Sequence, residues 1–139
     1  MRAKQIAALP FHTRDAELKI LLITTRGKRR WSVPKGWPMP SKRPHRAAAI
    51  EAYEEAGLRG RVTSKAIGSF RHNKRKGKRK LVCQVKLFPL EVKKQHRRWP
   101  ERAQRRVIWL SASKAARRVH RVELRQLIKR FAREQAVRS

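Results

Sequence analysis

Three glutamates, Glu51, Glu54 and Glu55, fall within five positions of "AAAIEAYEEAGLRG", in a chain with 39 Lys and Arg against nine Asp and Glu. On a helix these positions are related by i, i+3 and i+4, so their carboxylates share one face. Like charges at that spacing cost about 0.2–0.5 kcal/mol per pair. A divalent cation offsets the cost, because hard cations take carboxylate oxygens; Mg²⁺ keeps several waters and meets its substrate through phosphate oxygens. The same triplet also reads as a solvated face that pairs with some of the many basic side chains.

The elements around the glutamates bear on that choice. "PKGWPMPSKRP", residues 34–44, has four prolines in eleven positions and predicts a stiff, irregular loop able to aim backbone carbonyls at a cation. Pro44 suits the first turn of a helix, with Ser41 as a capping candidate. "HRAAAIEAYEEA" has high helix propensity, and Gly57 supplies its stop. Upstream, residues 5–12 and 17–25 predict two strands of a hairpin around the polar turn "HTRDAE", then the basic loop "RGKRR" and a short extended "WSV". Downstream, "RVTSKAIGSFRHN" and "KLVCQVKLFPLEV" read as strands joined by a basic loop, "KRKGKRK". After the loop "QHRRWPERAQRR" come a short strand, "VIWLS", and a helix, "ASKAARRV", that Ser111 is placed to cap. The last segment, "VELRQLIKRFAREQ", carries Val122, Leu124, Leu127, Ile128 and Phe131 at helical spacing. Strands, helix, strands, helix predict an α+β domain whose mixed sheet packs against helices, one domain over residues 1–139.

The glutamates and their flanks resemble a known pattern. "GWPMPSKRPHRAAAIEAYEEAGL" is similar to the Nudix box, with Gly36, Glu51, Glu54, Glu55, Gly57 and Leu58 in register over 23 residues. "RWSVPKGWPM", "FPLEV", "WPERAQRRVIWL" and "SKAARRV" resemble, in order, the diphosphoinositol polyphosphate phosphohydrolase-like branch of that family. The resemblance implies an α/β/α sandwich with the catalytic helix after a Gly/Pro loop. It also implies a metal-dependent pyrophosphohydrolase, with Mg²⁺ or Mn²⁺ as cofactor, that cleaves a diphosphate linkage by water attack at phosphorus. Glu51 and Glu55 are then expected on metal, with a backbone carbonyl of Lys35 or Gly36, and Glu54 as a further ligand or the base. Two positions depart from the pattern: Lys42 replaces its first glutamate and Ile50 the arginine before its central one. In the family that arginine is thought to orient a catalytic glutamate through a salt bridge, so a binding-only descendant stands as the alternative.

Arg26, Lys28, Arg29 and Arg30 before the loop, Lys35 and Lys42 within it, and Arg79 beyond it are the expected grips for substrate phosphate. Arg offers planar two-pronged donation and Lys a point charge; each alone also reads as plain surface. Dinucleoside polyphosphates and inositol pyrophosphates both present several close negative charges and suit the branch. A formal net charge of +30 attracts polyanions in general. It keeps a 5′-triphosphate RNA end, or simple nucleic-acid binding on this scaffold, as alternative readings, with adhesion to anionic membrane a weaker third.

Cys83 is the one cysteine, which excludes an internal disulfide and a multi-cysteine metal site. The five histidines show no metal-ligand spacing, and the four tryptophans read as packing residues, Trp37 with an option on a ring at the site's mouth. The start makes a poor signal peptide and no run approaches a membrane span of roughly 20 apolar residues. A cytoplasmic monomer or weak dimer is the expectation.

Overall fold

The computed structural model describes residues 2–138 as one eight-stranded mixed sheet with helices on both faces. In chain order the strands are β1 (Arg2–Arg14), β2 (Glu17–Thr24), β3 (Trp31–Ser32), β4 (Lys35–Gly36), β5 (Leu58–Val62), β6 (Gly68–Lys76), β7 (Arg79–Gln95) and β8 (Val107–Ser111). The helices are α1 (Pro44–Ala56), α2 (Ala112–Arg118) and α3 (Val122–Arg138), with a 3₁₀ turn at Arg102–Gln104. The sandwich expected from the sequence is the fold observed.

β1 and β7 form the centre. They run parallel, in register from Arg2 opposite Val82 to Phe11 opposite Glu91, while every other pairing is antiparallel. Successive side chains on a strand face opposite sides, and here both sides are covered. Ile6 and Ala8 of β1, with Leu21 and Ile23 of β2, pack under α1. Ala7 and Leu9, with Ile20 and Leu22, pack against α2 and α3 through Ala116, Leu124, Ile128 and Phe131. That double coverage is why β1 is a continuous apolar run and not an alternating one.

α1 presents Ala48, Ala52 and Ala56 to the sheet at spacings of four, all fully buried. Such small side chains let the helix lie close to β1; Glu55 is buried beside them and Glu51 half-buried at their edge. Pro44 opens the helix as expected, but Arg43 is the N-cap, without a side-chain hydrogen bond, so Ser41 does not cap it. Proline's fixed φ starts the helix unaided. Gly57 ends it at φ 71°, donating its N–H to the Tyr53 carbonyl at 2.9 Å.

Four other sequence expectations need correction. The β1–β2 turn is tighter than "HTRDAE" suggested: Asp15 and Ala16, both at positive φ, make a two-residue connection. The Pro-rich loop contains β4, because backbone pairing to β1 at Ile6–Gly36 and Ala7–Lys35 needs no side-chain pattern. "RVTSKAIGSFRHN" is two strands, β5 and β6, separated by residues 63–67 with a bend at 64–65. "KRKGKRK" is no loop but the tip of the β6–β7 hairpin, turning at Gly77 with φ 65°. Ser111 does cap α2, accepting from the Lys114 N–H at 3.4 Å.

Candidate active site

Glu51 and Glu55 stand one turn apart on α1 and face β4. The Lys35 N–H donates to Glu55 Oε1 at 3.4 Å. The Glu51 carboxylate lies directly over Gly36, where a Cβ would collide with it. Glycine is required at 36 for this close approach, not for its dihedral freedom. Glu55 is only 5% exposed, and burial pushes its carboxyl up to about 8, against the pull of Arg105 and with Glu51 and Glu101 adding repulsion. Glu51 is also raised, chiefly by burial; a hydrogen bond with Glu55 works against that, and Glu54 and Glu101 reinforce it. Lys35 is lowered, first by burial, although Glu55 opposes the shift.

A buried and a half-buried carboxylate one helical turn apart, both raised by burial, match a cation site before the cation's charge is counted. Among the described residues no three His, Cys, Asp or Glu side chains gather as a metal cluster. A site on Glu51, Glu55 and a carbonyl of β4 is therefore a two-carboxylate site. That donor set fits Mg²⁺, which is held by one or two carboxylates and completes its shell with water and substrate phosphate.

The segment between β7 and β8 closes over the end of α1. Helix ends leave carbonyls without intrahelical partners, and this segment supplies partners. Trp99 Nε1 donates to the Glu55 carbonyl at 3.2 Å, the Glu101 N–H to the Glu54 carbonyl at 3.0 Å, and the His96 N–H to the Gly57 carbonyl at 2.8 Å. The Trp99 ring lies against Gly57, again leaving no room for a Cβ. The segment thereby delivers Glu101 and Arg105 to the glutamates. Arg105 Nη2 is 3.6 Å from Glu55 Oε2, and Arg105 Nε donates to Glu101 Oε1 at 2.9 Å.

Above this floor opens a cleft of about 1180 Å³. Arg26, Lys28 and Arg30 of the segment after β2, Lys74, Arg75 and Lys80 of the β6–β7 hairpin, and Arg121 before α3 line it. Trp31 and Trp37 lie on its walls, each beneath a cation: Arg106 is 5.7 Å from the Trp31 centroid and Lys74 5.1 Å from that of Trp37. His72, also in the cleft, is pushed down to about 4, first by burial and then by Lys35, Arg121 and Lys74, so it is neutral at pH 7. Gln5 is 3% exposed, lines the cleft, and its Oε1 has no hydrogen-bond partner among the described residues.

Of the residues singled out in the sequence, the structure brings together Glu51, Glu55, Lys35, Gly36, Arg26, Lys28 and Arg30. Glu54, Arg29, Lys42 and Arg79 are not among the cleft-lining residues. Glu54 is on α1 but does not line the cleft, Arg29 is exposed just after the turn at positive φ, and Lys42 is exposed in the bend before α1. Sequence reasoning missed Glu101, Arg105, Lys74, Arg75, Lys80, Arg121 and Gln5. Only Glu101 and Arg105 left a signal, an acidic–basic pair four apart behind a Trp-Pro; the other cations are indistinguishable from their neighbours in so basic a chain.

The NUDIX domain profile matches residues 2–131. Diphosphoinositol polyphosphate phosphohydrolase 2 of Rattus norvegicus is 36% identical over 73 residues, 52% of this chain and 40% of that protein. Diphosphoinositol polyphosphate phosphohydrolase 3-alpha of Mus musculus is 36% identical over 70 residues, 50% of this chain and 42% of that protein. The match thus spans less than half the length of these relatives. Among solved structures, a C. elegans Ap4A hydrolase binary complex superposes with a TM-score of 0.72 at 17% identity, covering 96% of this chain and 98% of that one. A MutT protein from Methanosarcina mazei Go1 gives 0.66 at 20% identity, over 96% and 95%. At these identities the structures speak for the fold, and the profile for descent: the chain belongs to the NUDIX domain family.

Proposed function

We propose that this protein is a divalent-cation-dependent pyrophosphohydrolase acting on a phosphate-rich small molecule. One observation carries the reading: a single cleft joins a two-carboxylate floor, Glu51 and Glu55 against β4, to walls lined by cations. Mg²⁺ or Mn²⁺ bound there would neutralise phosphate oxygens and acidify a bound water. Glu51 and Glu55 would hold that ion, with a carbonyl of Lys35 or Gly36. Arg26, Lys28 and Arg30 after β2, Lys74, Arg75 and Lys80 of the hairpin, and Arg121 grip the phosphates and fix the linkage over the floor. Gln5 turns its amide to the same ligand. A carboxylate that takes the proton of the attacking water must lie in the cleft, which favours Glu51, Glu55 or Glu101 over Glu54. The water oxygen bonds to phosphorus, the bridging P–O bond breaks, and the bridging oxygen leaves with its electron pair.

Curated relatives named for diphosphoinositol polyphosphates support an inositol pyrophosphate as substrate, and a dinucleoside polyphosphate fits the same cationic walls. A 5′-triphosphate RNA end is a second reading, favoured by the basic residues that continue past the cleft along the hairpin tip and α3.

The test is product release with Mg²⁺ and Mn²⁺ from an inositol pyrophosphate, diadenosine polyphosphates, nucleoside triphosphates and 5′-triphosphorylated RNA, run in ¹⁸O-water. Metal-dependent turnover with label in a phosphate product is expected. Turnover of RNA ends alone would move the substrate to the second reading, and silence across the panel in folded protein would end the hydrolase reading.

A further inference from the structure

A buried carboxylate that must keep one orientation needs a cation or donors to hold it, and the stretch of α1 around Glu55 supplies no cation: residues 47–57 contain no Lys or Arg, and the helix's one arginine, Arg46, lies nine positions away. Ile50, where the box pattern has arginine, offers only an apolar chain. We propose that Arg105, from the segment between β7 and β8, is the positioning residue that fixes the Glu55 carboxylate for catalysis. This rests on the hydrolase reading above.

Each of the three guanidinium nitrogens of Arg105 faces a protein oxygen. Nε donates to Glu101 Oε1 at 2.9 Å, Nη1 to the Thr24 carbonyl at 3.1 Å, and Nη2 lies 3.6 Å from Glu55 Oε2. Its side chain is 9% exposed. Though it borders the cleft, this guanidinium turns all three nitrogens to protein oxygens, unlike the exposed cations of the cleft walls, so its directional donors act first on the protein. The anchors are themselves anchored. Thr24, 3% exposed, donates its N–H to the Arg106 carbonyl at 3.0 Å, and its Oγ1 accepts from the Arg106 N–H at 2.9 Å. Glu101 is pinned by its own N–H to the end of α1, beside the Trp99 bond to the Glu55 carbonyl.

The consequence for Glu55 is a clamp with two jaws. Lys35 N–H donates to Oε1 at 3.4 Å and the Arg105 guanidinium stands in ion-pair contact with Oε2 at 3.6 Å, one group to each oxygen. A carboxylate has about four lone-pair sites, so the remaining ones are left for the cation with the side chain's torsion fixed. β2, α1 and the β7–β8 segment must all be in place for the clamp to close, which ties the active geometry to the complete fold.

Steady-state kinetics of Arg105→Ala and Arg105→Lys, with thermal melts of Arg105→Ala, Glu55→Gln and the double variant, test this. Arg105→Ala is expected to lower kcat about 10–100-fold, the usual cost of losing a partner that orients a metal ligand, with KM nearly unchanged. Arg105→Lys recovers part of the loss, keeping charge without the fork, and serves alone if the alanine variant does not fold. The melts are expected to be non-additive, the double variant more stable than the sum of the single changes predicts, as for directly coupled groups. A loss confined to KM would make Arg105 a substrate contact; that result, unchanged kcat, or additive melts would overturn the proposal. The melts need no turnover, so a protein inert toward every anhydride would sink the hydrolase reading while the coupling still decides whether Arg105 holds Glu55.

Discussion

The floor and the rim of the cleft are built on opposite principles. On the floor, Glu55 is 5% exposed, Arg105 is enclosed, Gly36 touches the Glu51 carboxylate, and the Trp99 segment is bonded to the last carbonyls of α1. On the rim, Lys28, Arg75 and Lys80 are exposed residues of turns and a hairpin tip. The floor places each group by packing and directional bonds, so one wrong atom matters there. The rim acts through summed charge, which is tolerant of position and screened by salt. In the proposed reading, chemistry belongs to the part with geometry and substrate capture to the part with field.

The contrast breaks most sharply at Glu51. Glu51→Gln is expected to lower kcat by about 10²–10⁴-fold, in the range for loss of an essential carboxylate, with the melting temperature held or raised because a half-buried charge is removed. Gly36→Ala comes next: the new Cβ meets the Glu51 carboxylate, so either β4 or α1 shifts. A displacement of the site on that scale is expected to cost roughly 10²-fold in kcat, with Mg²⁺ affinity weakened in calorimetry. A milder change at the floor is Trp99→Phe, which keeps the ring on Gly57 and deletes the donor to the Glu55 carbonyl. Loss of about 1 kcal/mol of stability is expected from denaturant melts, with a smaller fall in kcat than at Gly36.

At the rim the expected response differs in kind. Single neutralisations such as Lys80→Gln or Arg26→Gln should raise KM only a few-fold, leave kcat alone, and matter less as salt rises; a large kcat effect there would erase the distinction. The smallest signal is one of pH. His72 sits at about 4 in the fold against an ordinary 6.5 when unfolded. The unfolded chain therefore binds the extra proton first, and the stability His72 contributes is present above about 6.5 and lost as pH falls toward 4. His72→Gln should flatten that part of the stability–pH curve.

What was legible in the sequence was what local chemistry dictates. Pro44 and Gly57 bounded α1, the spacing of Glu51 and Glu55 put both on one face, and Ser111 marked a cap. The β6–β7 tip was hidden because "KRKGKRK" has no apolar alternation to betray a strand; its order comes from the backbone ladder to β7. β4 was hidden by its prolines, since two residues paired to β1 leave no pattern at all. Arg105 lay 50 positions from Glu55 in the chain, and only the closure of the β7–β8 segment over α1 makes them partners. Glu54 shows the converse: its spacing was right for the acidic face, yet it stands outside the cleft.

The most direct test of the central claim is turnover of an inositol pyrophosphate or diadenosine polyphosphate by the native protein and by Glu55→Gln, each with and without Mg²⁺. The account predicts hydrolysis only by the native protein with metal, and a folded but inactive Glu55→Gln. Metal-independent hydrolysis, or a Glu55→Gln variant as active as the native protein, would contradict it.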